Sequence, residues 1–302
     1  MSGREEWTRS SSFKTIAFLV AIPLFGMAVF FLWQWWNDGI TPEQVVREVR
    51  QTVPGRKSAS AASPREPEVL QQEALPRVTR KARKHRGDIV LIIDDLGFEG
   101  QPLGALMKLD PNINCAILPN GTHAEEFATR LHAAGFEILC HLPMQPQGGE
   151  APGRNAILTS MSDDEIARLT RENIEAIPHA RGVNNHMGSL ATSDRRVMTS
   201  VMRSIPEGMY FIDSRTSGGS VAANVAREMN VRTATRNIFL DDLATERGVR
   251  KQLAELANAA EKRGIAIGIG HPHAVTMRVL AEEIPELRAR GFRFVRASEV
   301  VR

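Results

Sequence analysis

The sequence predicts an α/β protein built as a barrel of parallel strands, each followed by a helix, and preceded by a transmembrane helix and a flexible linker. Three observations carry this expectation. Short runs rich in Ile, Val and Leu recur from residue 87 to the end of the chain. Segments of helix length with amphipathic spacing separate them, and seven or eight such units in one domain argue for a closed parallel sheet. Residues 15–36 form a largely apolar stretch long enough to cross a hydrocarbon core of roughly 30 Å. An open, doubly wound sheet is the alternative architecture. It has no support from a glycine-rich nucleotide loop, because no Gly-x-Gly-x-x-Gly or Walker-type segment follows the first strand.

Taken in order, residues 1–14 carry Arg4, Arg9 and Lys14 ahead of the apolar stretch. That excess of positive charge places the N-terminus in the cytoplasm. Trp33, Trp35 and Trp36 close the stretch in the manner of an interfacial aromatic belt. Small residues of the kind that precede a signal-cleavage site do not follow, so the sequence reads as an uncleaved anchor at 15–36. In a bacterial cell this gives a single-pass inner-membrane protein with its folded part in the periplasm. Residues 37–86 are rich in Pro, Ser, Ala and charge, which offers too little apolar surface to offset ordering entropy and predicts a flexible linker.

Strands are expected at 88–93, 113–118, 136–141, 181–185, 209–213, 237–241, 265–269 and 293–296 of the domain 87–302. Helices are expected at Glu125–Ala134, Ser162–Ile177, Asp194–Arg203, Val221–Met229, Thr245–Arg263 and Ala274–Arg290. The chain of 302 residues has a net charge of +3, and its basic excess is concentrated before residue 87. The folded part therefore lacks the basic footprint of a nucleic-acid-binding domain, and no nucleic-acid partner is expected. The two cysteines, Cys115 and Cys140, fall in buried strands without zinc-knuckle spacing and read as free thiols.

The strand ends hold the chemistry. The first strand, Asp-Ile-Val-Leu-Ile-Ile, ends on Asp94 and Asp95, and later ones end on His141, His186, Asp213, Asp241–Asp242 and His271–Pro–His273. A parallel barrel gathers these ends on one face, where the active sites of such folds lie. One histidine there is ordinary. Imidazoles at three strand ends and carboxylates at three others are costly to bury, at about 1–3 kcal/mol each, unless paired or bound to metal. Two His and one Asp form a ligand set for zinc that leaves positions open for water and substrate. A second carboxylate can then act as base and a further His as acid in metal-assisted hydrolysis. Arg215, beside the fifth strand end, suits either a substrate carboxylate or an ion pair with Asp213, Asp241 or Asp242. Asn184 and Asn185 suit either substrate contact or the satisfaction of loop backbone groups.

With these motifs in view, residues 87–302 resemble the YibQ-type divergent polysaccharide deacetylases, a branch of the polysaccharide deacetylase superfamily. The carriers are Ile-Ile-Asp-Asp-Leu-Gly, Cys-His-Leu-Pro-Met-Gln-Pro, Gly-Val-Asn-Asn-His-Met-Gly-Ser, Phe-Ile-Asp-Ser-Arg-Thr and Gly-His-Pro-His. The resemblance implies an irregular seven-stranded barrel and a divalent metal, zinc by preference. It implies Asp94 as catalytic base, Asp95 and His141 as metal ligands, and His271 as catalytic acid, with Asp213 or Asp242 orienting that acid. The superfamily's second ligand, four residues after His141, is Gln145 here, and His186 from the next strand is expected to replace it. Its Arg-x-Pro-Tyr segment is not recognisable. His273, Arg215 and Asn185 are expected at the substrate. The function so implied is deacetylation of an acetylated envelope polysaccharide or peptidoglycan-like glycan. A non-catalytic envelope protein, using the metal-containing barrel to bind glycan or a protein partner, is the alternative.

Overall fold

The computed structural model describes residues 84–302. The expected anchor at 15–36 and nearly all of the linker at 37–86 lie outside these residues. Among the described residues no helix is long and apolar enough to cross a membrane.

Nine strands form one sheet: β1 (Gly87–Leu96), β2 (Asn114–Ile117), β3 (Glu137–Met144), β4 (Ala180–Met187), β5 (Tyr210–Asp213), β6 (Arg232–Thr235), β7 (Ile238–Phe239), β8 (Ile265–Gly270) and β9 (Phe292–Phe294). Seven helices lie between them: α1 (Leu103–Leu106), α2 (Ala124–Ala133), α3 (Asp163–Glu175), α4 (Arg195–Ser204), α5 (Ala222–Glu228), α6 (Glu246–Arg263) and α7 (Ala274–Ala289). Every named strand pair is parallel, and the order is β6-β5-β4-β3-β2-β1-β8-β7. One edge of β1 pairs with β8 while the other is shared, with β9 against Gly87–Ile89 and β2 against Ile92–Leu96. No ladder joins β6 to β7 among the described residues, so the sheet is a curled half-barrel of more strands than the seven expected.

Alternation along the strands divides the apolar residues into two layers. Ile89, Leu91 and Ile93 pack with residues from the helices, such as Phe127, Ile166, Val197 and Leu256, in the convex layer. Val90, Ile92, Leu139, Tyr210, Ile212, Ile267 and Ile269 form a second cluster free of these helices, on the concave face. A strand covered on both faces must be apolar at every position, which explains why Ile89 through Ile93 are all fully buried. Cys115 and Cys140 are free and buried in the convex layer, and burial pushes both thiols far above their usual range.

The concave face is closed at the N-terminal ends of the strands. There the Tyr210 hydroxyl donates to Glu137 Oε1 at 2.7 Å, and the Ser298 backbone N–H donates to the same oxygen at 2.9 Å. Asn114 donates to Leu91 O and accepts from the Ala297 N–H. Val295, Ala297 and Val301 complete the concave core from below. The opposite end, where β1, β3, β4 and β8 terminate, carries the polar cluster.

Candidate metal centre

The same alternation that builds the concave core decides what stands at its rim. In β1 the sequence Val90, Ile92, Asp94 keeps to the concave side, and in β8 Ile267, Ile269, His271 does likewise. In β3 His141 follows Leu139, and Asn184 lies beside it in the β3–β4 ladder. Strict alternation would turn Asp95 toward the helices. The chain avoids this with a register shift against β2 between Ile93 and Leu96, and with a left-handed backbone at Asp95 (φ 58°). A non-glycine residue seldom adopts that conformation, and Asp tolerates it better than most. Gln101 holds the turn: its Nε2 donates to Asp95 O at 2.6 Å, and its Oε1 accepts from Gly97 N and Phe98 N. Both carboxylates thus reach one site from adjacent positions.

Asp95 Oδ1 lies 3.1 Å from His141 Nε2 and 2.8 Å from His186 Nδ1. The two nitrogens are 3.3 Å apart, with the rings edge to face. These three donor atoms lie within 4.8 Å of one another. Asp95 Oδ1 is buried and receives no aligned N–H. A carboxylate oxygen and two imidazole nitrogens converging on one point are a donor set suited to zinc, and an orphaned buried oxygen among them needs a cation or a proton. The residues present therefore fit a divalent metal.

Asp94 lies beside this group, with Oδ2 3.6 Å from His141 Nε2. Burial, the largest influence, lifts the Asp94 carboxyl above its ordinary range against the pull of His141, His271 and Asn184. Burial also opposes ionisation of Asp95, but the close approach of the His141 and His186 imidazoles outweighs it and holds this carboxyl far below the usual range. The field of Asp94 and Asp95 overcomes the burial of His141 and raises its pKa.

His271 faces the group from β8, its Nε2 3.8 Å from Asp95 Oδ2. Its Nδ1 lies 2.9 Å from Asp241 Oδ1, and its backbone N–H donates to Asp241 Oδ2 at 2.7 Å. Thr276 Oγ1 donates to that second oxygen at 2.8 Å. Burial alone lowers the pKa of His271, but Asp241, Asp94 and Asp95 together raise it to about 9. Asp241, His271 and His273 form a second acid–imidazole group. Both Asp241 oxygens are already occupied by N–H and O–H groups, so this is an oriented imidazole and not a second metal cage.

The structure brings together Asp94, Asp95, His141, His186 and His271 from the residues singled out in the sequence. It does not bring Asp213 or Asp242 to His271; Asp241 holds that place. Asp213 falls on the convex phase of β5 and accepts from Arg215 N and Ser220 Oγ. Asp242 is exposed, one residue out of phase with Asp241. The Asn185 amide is engaged by backbone: its Nδ2 donates to Met187 O and its Oδ1 accepts from Ser214 N, which ties the ends of β4 and β5. Arg215 is exposed with a left-handed backbone (φ 49°), and its guanidinium makes no ion pair among the described residues. His273 is exposed, its ring 5.9 Å from that of His271. Gln145 stays out of the cluster, its Oε1 accepting from Thr159 N and Thr159 Oγ1 at 2.8 and 2.9 Å.

Sequence reasoning missed Gln101, Asp241 as the partner of His271, and Arg236, and it singled out Asn184 without its partners Asp94 and His141. The Arg236 guanidinium donates to Ser214 O and Arg215 O and lies 5.0 Å over the Phe239 ring. Phe239 in turn flanks His271. Only the phase of Asp241 relative to Phe239 could have been read beforehand.

Residues 91–301 match the family model described as divergent polysaccharide deacetylase, and the chain belongs to that family. Two relatives agree. An uncharacterized Escherichia coli protein, YibQ, is 37% identical over 202 residues, covering 67% of this chain and 63% of that protein. An uncharacterized protein of Haemophilus influenzae is 35% identical over 193 residues, covering 64% of this chain and 69% of that protein. The match thus spans less than two thirds of the length of the Escherichia coli relative. The crystal structure of an uncharacterized protein from Agrobacterium tumefaciens shares the fold, with a TM-score of 0.69 at 22% identity, over 72% of this chain and 90% of that one.

Proposed function

We propose that the protein is a metal-dependent hydrolase that removes acetyl groups from an envelope polysaccharide or peptidoglycan-like glycan. The observation that carries the reading is the convergence of Asp95 Oδ1, His141 Nε2 and His186 Nδ1 beside a free carboxylate and an oriented imidazole. Zinc bound by those three residues would polarise the acetyl carbonyl and lower the pKa of water. Asp94, with its pKa raised by burial, takes the proton from the attacking water. His271 keeps its proton at neutral pH because Asp241 and the two rim carboxylates favour the cation. It donates that proton to the leaving nitrogen or oxygen. Asp241 fixes which nitrogen of His271 carries the transferable proton by engaging Nδ1 and leaving Nε2 toward the site.

The exposed Arg215 and His273 stand at the rim, where a glycan chain is to be held. The stretch at 15–36 anchors the chain in the inner membrane and places the domain in the periplasm. The test is acetate release from acetylated glycans by the zinc-loaded full chain, compared with Asp94→Asn. Release abolished by Asp94→Asn supports the reading. No release from any acetylated glycan, with glycan binding that survives Asp94→Asn, would assign the protein to non-catalytic binding.

A further inference from the structure

The Asn184 side chain is fully buried, and two of its three hydrogen bonds end on residues of the site, Asp94 and His141. Its Nδ2 donates to Asp94 Oδ1 at 2.8 Å and to Ser214 Oγ at 3.2 Å, while its Oδ1 lies 2.9 Å from His141 Nδ1. The direction of these bonds follows from elementary chemistry. In its role as base Asp94 is ionised, and an ionised carboxylate only accepts, so the amide nitrogen faces Asp94, as it does here. The amide oxygen then faces His141, and because an oxygen of this kind only accepts, Nδ1 of His141 must carry a proton. That leaves His141 Nε2 as the nitrogen with a lone pair for a cation. It is also the nitrogen that points at Asp95.

The same amide decides the state of Asp94. Among the described residues Asn184 makes the one hydrogen bond to this carboxylate, and it engages Oδ1. Oδ2 is thereby left free on the side of the metal group, 3.6 Å from His141 Nε2. A side chain at this position must donate one way and accept the other without adding charge. Asn meets both conditions, whereas Asp would set a third carboxylate against Asp94 and Asp95.

We propose that Asn184 is the positioning residue of this centre, a single neutral amide that fixes both the ligating nitrogen of His141 and the proton-accepting oxygen of Asp94. The proposal rests on the metal reading above. It assigns Asn184 a function that ordinary satisfaction of a buried amide would not have.

The test uses the full chain, stripped of metal and titrated with zinc against a chelator of known affinity. Asn184→Ala is expected to weaken zinc binding roughly 10- to 100-fold, the usual cost of losing the group that orients a ligand histidine. Asn184→Asp keeps an oxygen against His141 Nδ1 and should bind zinc at least as tightly as the wild type. Ser214→Ala, which removes only the third bond, should leave zinc binding unchanged. In the zinc-loaded wild type, ¹⁵N–¹H correlations of the histidine rings should show His141 protonated at Nδ1. Melting of each metal-free variant separates loss of fold from loss of affinity. Wild-type zinc affinity in a folded Asn184→Ala protein would overturn the proposal, as would a His141 proton on Nε2 in the wild type should Asn184→Ala not fold. A wild type that takes up no zinc would instead remove the metal reading beneath it.

Discussion

Replacing Asp241 by Asn keeps an oxygen for the His271 backbone N–H and for Thr276 while removing the negative charge from His271 Nδ1. The side chain of His271 is 17% exposed and that of Asp241 is fully buried, so solvent screens the pair little. The folded pKa of His271 stands at about 9 against an ordinary 6.5. At ~1.4 kcal/mol per pH unit, that difference places on the order of 3 kcal/mol of folding free energy in the charged imidazole. Asp241 shares it with Asp94 and Asp95, so its removal should lower the His271 pKa by roughly one to two pH units. A raised histidine pKa stabilises the fold fully below the unfolded value and ceases to do so as pH rises through the folded one. The wild type should therefore lose stability between pH 6.5 and about 9, and Asp241→Asn should show a flatter profile. The assay is an NMR titration of the His271 ring alongside urea unfolding across that window. A wild-type His271 that titrates near 6.5, or a titration unmoved by the substitution, would refute the argument.

Two further outcomes follow from the geometry. His186→Ala should weaken zinc binding at least ~100-fold, and adding Gln145→His should not restore it, because position 145 faces Thr159; recovery of zinc binding in the double variant would show that position 145 can reach the site. Gly182→Ala would set a Cβ 2.3 Å from the Tyr210 ring at the floor of the concave core. Overpacking of this kind costs about 1–3 kcal/mol, or about 2–12 °C in Tm for a domain of this size, and an unchanged melting temperature would contradict it.

The strands that a sequence reader can find are the ones buried on both faces. β1, β3 and β8 announce themselves as apolar runs, and their terminal Asp94, Asp95, His141 and His271 could be named with them. β6 could not be found, since Arg232–Thr235 is an edge strand with no apolar run and much of its surface outside the core. β7 shrinks to Ile238–Phe239 at the other edge for the same reason. Within the site the misassignments are errors of phase. Asp213 and Asp242 have the chemistry expected of a partner for His271 but stand one residue out of step with the concave face. Asp95 is the reverse case, out of step by count and brought in by a left-handed backbone that no pattern of residues displays. Gln101 was hidden, and the role of Asn184 with it, because an amide carries no signature until its partners are known.

The centre is defined by the rim of a curled sheet more than by any one strand. Inward positions at the tops of neighbouring strands point into one small volume, so side chains from different strands can serve one centre. In the metal reading proposed above, the second imidazole would come from His186 on β4, next door to His141 in the ladder, and not from position 145. Gln145 itself pins the Thr159 loop. Divergence in such a fold need not erase a site; it can redistribute its parts around the circle, where a motif search confined to one strand would score the change as a loss.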